Sequence, residues 1–291
     1  MRIESSELII NSDNSVFHLH IRPEQLADNV ILVGDPSRVR MVASFFGKCE
    51  AENASREFHS VTGYYKGVRF TVLSTGIGSD NIDIVMNELD ALANIDFKTR
   101  EIKEEKRSLR ILRLGTCGAL QPDIKPGTPV FSLVSIGFDG VLNWYAGRDM
   151  ITMADAEAAF LKHIEWERHL QIPYFVKADE GLASLFENDT LAGMTISAAG
   201  FYAPQGRVLR LGLAMPDLLD KCESFRYEGY RIANFEMEGA ALAGFARLMG
   251  HRAATLCCTI ANRYNHDALP DYKTRVKEMV EMALGRLVAG Q

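Results

Sequence analysis

The stretch ILRLGTCGALQPDIKPGTPV, Ile111 to Val130, decides the reading of the fold. It reads as a buried strand, a small-residue turn and the start of a second strand. Thr116, Cys117 and Gly118 stand at the first strand's carboxyl end, after Gly115. In open α/β sheets, ligands bind just outside such ends. A glycine-flanked turn there lets backbone N–H groups approach an anion. Arg113 lies inside the apolar strand, two residues before Gly115. A guanidinium in that place is costly to bury unless it is paired. Its partner is either a ligand anion or a core carboxylate, and the strand alone does not choose.

Working outward, the same strand–turn–helix grammar recurs. In NVILVGDPSRVRMVASFF, Val30 to Val33 form a short apolar strand and Gly34-Asp35-Pro36 a turn. Pro36 opens a helix with Val39, Val42, Ala43 and Phe46 on one face. Arg38, in its first turn, opposes the helix dipole unless an anion lies nearby. It is thus either a candidate oxyanion contact or a solvated surface residue. Upstream, VFHLHIRPEQL alternates His18 and His20 with Phe17, Leu19 and Ile21, as on a short strand. Residues 49–75 read as a β-hairpin ending in the strand VRFTVLSTG. STGIGSDNIDIVMNELDAL then gives a second strand, turn and helix. Gly76 and Gly78 do not complete G-x-G-x-x-G, because position 81 is Asn. That argues against dinucleotide binding.

Residues 96–110 are a dense mixed-charge run, read as solvated helix or loop. A strand at 128–138 follows, then a helix from Met153 to Gln171, a strand at 174–178 and a short helix at 182–187. MTISAAGFYAPQGRVLRL is a strand ending in a Gly/Pro-rich loop with Phe201, Tyr202, Gln205 and Arg207. An aromatic ring, an amide and a guanidinium on one loop can stack on and hydrogen-bond a heterocycle, or can merely be solvated. RIANFEMEGAALAGFARLMG runs from strand into helix, with Glu236 and Glu238 flanking Met237. Carboxylates at i and i+2 point the same way on a strand. Their repulsion must be offset by donors, and sugar hydroxyls are suitable ones. HRAATLCCTIANR is the last strand, and a helix from Tyr272 to Val288 closes the chain.

The alternation of strand and helix, without linker or repeat, predicts one α/β domain over residues 1–291 around a twisted, mixed sheet. The chain is 47% apolar and 24% charged, and its net charge is −6. No global basic field recruits nucleic acid. No apolar run approaches the roughly 20 residues of a membrane span, and the N-terminus lacks a signal-peptide core. The five cysteines form no C-x-x-C, which argues against a zinc site and for a reducing cytoplasm.

VGDPSRV, REF, STGIG, LRLGTCGALQP, FYAPQGR and NFEMEGAAL stand in one order from about Val16 to the C-terminus. Together they resemble the nucleoside phosphorylase family, with its purine and uridine phosphorylases, and most of all the uridine-cleaving members. The resemblance implies a partly barrel-like sheet flanked by helices. It implies phosphorolysis of uridine, with deoxyuridine or thymidine tolerated, to uracil and a pentose 1-phosphate. A purine phosphorylase, a nucleosidase of the same fold and a non-catalytic relative are the rival readings. Inorganic phosphate would be a co-substrate, with no cofactor. Carried over by position, Gly34, Arg38, Arg113 and Thr116 would bind phosphate, with Arg56 reaching in from a neighbouring subunit. Met237 and Glu238 would hold the ribose, with the neighbour's copy of His18. Gly118, Phe201, Gln205, Arg207 and Arg263 would meet the base, with Glu236 nearby. The arginines would orient the phosphate dianion. Gln205 and Arg207 would stabilise the departing base. Glu238 would fix the sugar. The resemblance implies a cytoplasmic homo-oligomer, a dimer or a hexamer built from dimers with shared sites.

Three departures stand out. SAAGFY replaces an Asp-Thr pair before the aromatic residue. Glu57 matches a family interface-cation ligand, but Asn81 stands in place of its serine. The run at 96–110 looks like an insertion relative to compact bacterial members of the family it resembles.

Overall fold

Val30–Val33 and Ile111–Leu114, the two apolar runs singled out above, lie side by side in parallel. Their side chains alternate between two cores. Val30, Leu32 and Ile111 join one cluster, and Ile31, Val33, Leu112 and Leu114 join the other. Both faces are therefore covered, which is why these strands read as continuous apolar runs rather than alternating ones.

The computed structural model describes residues 2–290. The main sheet has twelve strands among those residues. Ten carry the architecture: β1 (Asn29–Val33), β2 (Lys48–Ser55), β3 (Phe58–Tyr65), β4 (Val68–Ser74), β5 (Arg110–Ala119), β6 (Pro129–Gly137), β7 (Tyr174–Lys177), β8 (Leu191–Ser197), β9 (Tyr230–Glu236) and β10 (Arg252–Asn262). The helices that matter here are α1 (Pro36–Ala43), α2 (Ser79–Asn94), α3 (Ala154–Ile164), α4 (Glu180–Phe186), α5 (Leu218–Ser224), α6 (Gly239–Met249) and α7 (Tyr272–Ala289).

From one edge the order is β9-β8-β6-β10-β5-β1-β4-β3-β2. A further antiparallel pairing of β9 with β5, Phe235 opposite Gly118 and Asn234 opposite Ala119, closes five strands into a ring. The sheet is thus mixed and partly barrel-like, as the resemblance implies. The closure brings the carboxyl ends of β5 and β9 together, and with them Thr116, Glu236 and Glu238.

The expected turn at Gly115-Thr116-Cys117-Gly118 is not a turn. These residues continue β5, paired with β10 from Gly115–Cys257 to Ala119–Asn262. Their small size serves clearance instead. A Cβ at Gly115 would collide with the Arg113 guanidinium and lie 2.8 Å from Cys257 Sγ. At Gly118 it would lie 3.2 Å from Arg263 Cγ.

Other boundaries also shift. Residues 49–75 form a three-stranded meander rather than a hairpin, with Arg56 in the turn from β2 to β3. Phe17–Ile21 is a turn, not a strand. Glu88 of α2 accepts the His18 and Leu19 amides at 3.0 and 2.9 Å and pulls the segment round. The helix expected over 153–171 stops at Ile164. Glu165 adopts a left-handed φ of 54°, and Trp166 packs on Phe138 with ring centroids 4.9 Å apart. The charged run begins in a small hairpin, Ile95–Asp96 against Glu101–Ile102.

Candidate active site

The site is built where the carboxyl ends of β1, β4, β5, β8, β9 and β10 converge. There Gly34, Arg38, Arg113, Thr116, Gly118, Phe201, Gln205, Arg207, Glu236, Met237 and Glu238 line one cleft of about 580 Å³. Of the expected residues, Arg263 stands behind this lining. Arg56 and His18 lie outside the chain's own cleft.

On one side, β1 delivers Gly34 into α1. Asp35 caps that helix by accepting the Ser37 N–H at 2.8 Å, which holds its carboxyl below the ordinary range. Pro36 occupies the first turn, where its missing N–H costs nothing. Arg38 projects from the same turn into the cleft.

On β5, the strand paired with β1, Arg113 is 5% exposed and stands between two buried carboxylates. Its Nη2 contacts Glu238 Oε2, and its Nη1 lies 3.1 Å from Glu236 Oε2. Both alternatives for its partner therefore meet here: the arginine has core carboxylates, and those carboxylates line a ligand cleft. Burial alone would lower the guanidinium's pKa, but facing Glu238 and Glu236 outweighs it and pushes it above its ordinary value. Burial raises the Glu238 carboxyl, against the pull of Arg113.

The two glutamates differ in their donors. Glu236 accepts from the Glu238 and Gly239 amides at 2.9 Å and from the Ser197 hydroxyl. Glu238 accepts the Gly78 N–H at 2.7 Å. Protein donors thus meet part of the need that the sequence assigns to sugar hydroxyls.

The loop after β8 supplies a preformed polar corner. Gln205, 3% exposed, donates Nε2–H to Gly200 O at 3.2 Å. Its Oε1 accepts from Arg207 Nη1 at 2.6 Å. Arg207 also donates to Phe201 O at 2.6 Å, and its guanidinium lies 3.8 Å from the centre of the Phe201 ring. Arg263 donates to Gln205 O at 3.0 Å. Burial, with Arg263 nearby, brings Arg207 down to about 10.

Several lining residues escaped the sequence reading. Phe235, Ile260 and Ala261 supply apolar walls, and Ile77 a rim. The Gly78 amide had a signal in STGIG, since φ +101° there requires glycine. Ser197 had none. His18 Nδ1 sits 2.6 Å from Glu88 Oε1, and Arg56 holds a left-handed φ of 53° at its hairpin tip. No group of three or more His, Cys, Asp or Glu that could hold a metal ion occurs among the described residues. Glu57 and Asn81 both flank Gly76, Glu57 through its Cβ and Cγ and Asn81 through its Nδ2.

A Phosphorylase superfamily profile matches residues 28–289. Uridine phosphorylase from Thermococcus kodakarensis is 29% identical over 263 residues, 90% of this chain and 83% of that protein. Uridine phosphorylase from Haemophilus influenzae is 28% identical over 291 residues, 94% of this chain and 96% of that one. Among solved structures, a Trypanosoma brucei nucleoside phosphorylase, described as showing uridine phosphorylase activity, superposes with a TM-score of 0.85 at 27% identity, covering 97% of this chain and 99% of that one. Ring closure, a cleft at the converging strand ends and likeness along the whole chain agree: this protein belongs to the Phosphorylase superfamily, as an enzyme of its nucleoside-phosphorylase, pentosyl-transferring type.

Proposed function

We propose that this protein cleaves uridine with inorganic phosphate, giving uracil and ribose 1-phosphate. The observation that carries the proposal is one cleft lined both by Arg38 and Arg113 and by the Gln205–Arg207 pair. Two arginines suit a phosphate dianion. A planar amide–guanidinium corner suits the carbonyls of a pyrimidine. The uridine phosphorylase relatives support the same substrate.

In this reading a phosphate oxygen forms a bond to C1′ of the sugar as the C1′–N1 bond breaks. The bonding pair leaves with the base. Arg38 and Arg113 orient the dianion below the ring. Gln205 and Arg207 stabilise the charge that grows on the departing uracil. Glu238 accepts the sugar hydroxyls and fixes the ring. No side chain forms a covalent bond to substrate, and no step runs through a cation near Glu57.

Arg56 and His18 are not part of the lining of the chain's own cleft, which fits their service in a second subunit's site. The enzyme is then a homo-oligomer built from dimers. No described helix is long and apolar enough to cross a membrane. The five cysteines are free, which supports a reducing, cytoplasmic setting.

A substrate panel tests the choice of base. Uridine should turn over at least tenfold faster than inosine or adenosine at equal phosphate, with thymidine and deoxyuridine between. Faster release of a purine base than of uracil would overturn the pyrimidine assignment.

A further inference from the structure

The cleft contains an electrostatic conflict. Arg113 contributes one positive charge, and Glu236 and Glu238 contribute two negative ones, all at 5% exposure or less. Two buried carboxylates against one guanidinium leave a net negative cluster, a poor receptor for a dianion. The protein's own donors resolve it unevenly. Glu236 takes the Glu238 amide at 2.9 Å, the Gly239 amide at 2.9 and 3.0 Å, and the Ser197 hydroxyl. Ser197 Oγ itself accepts the Ala240 N–H at 2.8 Å, so its one proton is free to point at Glu236. Three successive amides at the start of α6 thus converge on Glu236, two directly and one through Ser197. The positive end of the helix adds to them. Gly239 keeps the arrangement open, because a Cβ there would lie 3.1 Å from Glu236 Oε1 and 3.0 Å from Thr255 Oγ1. Glu238, by contrast, receives the Gly78 amide and Arg113, which leaves lone pairs for substrate.

We propose that Ser197 is a positioning residue for the phosphate subsite: it ties Glu236 to the α6 terminus, so that Arg113 keeps its charge for phosphate. Glu236 is then a buried counter-charge with no direct contact to substrate. Without the hydroxyl, the Glu236 carboxylate loses a donor and draws more tightly on Arg113 Nη1, in competition with phosphate. The inference rests on the phosphorolysis reading above.

The test uses the full-length protein with Ser197→Ala, Ser197→Thr and Ser197→Cys. Loss of one charge-assisted hydrogen bond predicts about a tenfold rise in phosphate KM for Ser197→Ala. Uridine KM stays within twofold. Ser197→Thr, which keeps the hydroxyl, restores the phosphate KM. The rise in Tm on adding inorganic phosphate shrinks in Ser197→Ala and returns in Ser197→Thr. If the alanine variant does not fold, Ser197→Cys decides: its weak donor should give an intermediate phosphate KM. Equal rises in both KM values, an unchanged phosphate KM, or no rescue by threonine would overturn the proposal. Wild-type protein that releases uracil without phosphate would overturn the phosphorolysis reading itself.

Discussion

Arg113→Met should cost both stability and phosphorolysis, and the two losses should separate. The variant leaves Glu236 and Glu238 buried without their shared counter-charge. Breaking a buried pair in this way costs about 3–5 kcal/mol. Denaturant unfolding would read it. Catalysis should fall by about 10³ in kcat/KM for phosphate, since a charge-assisted clamp on the nucleophile is gone. Adding Glu238→Gln should recover part of the stability and none of the activity. The pH dependence has a definite sign. Burial already holds the Glu238 carboxyl above its ordinary value. A carboxyl whose pKa is higher folded than unfolded binds its proton better in the folded state, so stability falls as pH rises through that window. Removing Arg113 raises it further. The stability deficit of Arg113→Met should therefore be smaller near pH 5 than near pH 8. A deficit that grows on acidification would mean that the glutamates are not the groups left unpaired.

Arg207→Ala should act on the other end of the reaction. Arg207 holds Gln205 Oε1 at 2.6 Å and lies 3.8 Å from the centre of the Phe201 ring. Its loss removes one donor to the departing base and frees a second. Oxyanion-hole deletions cost about 10²–10³ in kcat, and this one should fall in that range. Uridine KM should rise with it, while phosphate KM stays put. Steady-state kinetics with each substrate varied separates the two ends of the cleft. A change in phosphate KM alone would remove Arg207 from the base site.

Much of this site is legible in the sequence because its motifs are local. GDPSR, EME and APQGR each place a polar group within a few residues of a strand end, and the strands are apolar enough to find. What eludes the sequence is anything fixed by distant partners. The Gly115–Gly118 run has the composition of a turn, yet it continues β5 because β10 and β9 pair with it. Its glycines make room for Arg113 and Arg263 rather than for a bend. Alternation at Phe17–Ile21 suggests a strand, but Glu88, seventy residues on, captures two amides and makes a turn. The helix after Met153 stops early because Trp166 finds Phe138. Ser197 carries no local signal at all. Its role arises only when β8 and β9 pair and set it against Glu236.

In the proposed reaction, phosphate held by Arg38 and Arg113 is the nucleophile that displaces uracil. The most direct measurement is uracil release from uridine with and without inorganic phosphate, with the sugar product identified by phosphorus NMR. The proposed mechanism predicts release that saturates with phosphate, ribose 1-phosphate in equal amount, and no appreciable turnover without phosphate. Equal release in phosphate-free buffer, with free ribose as the product, would contradict it.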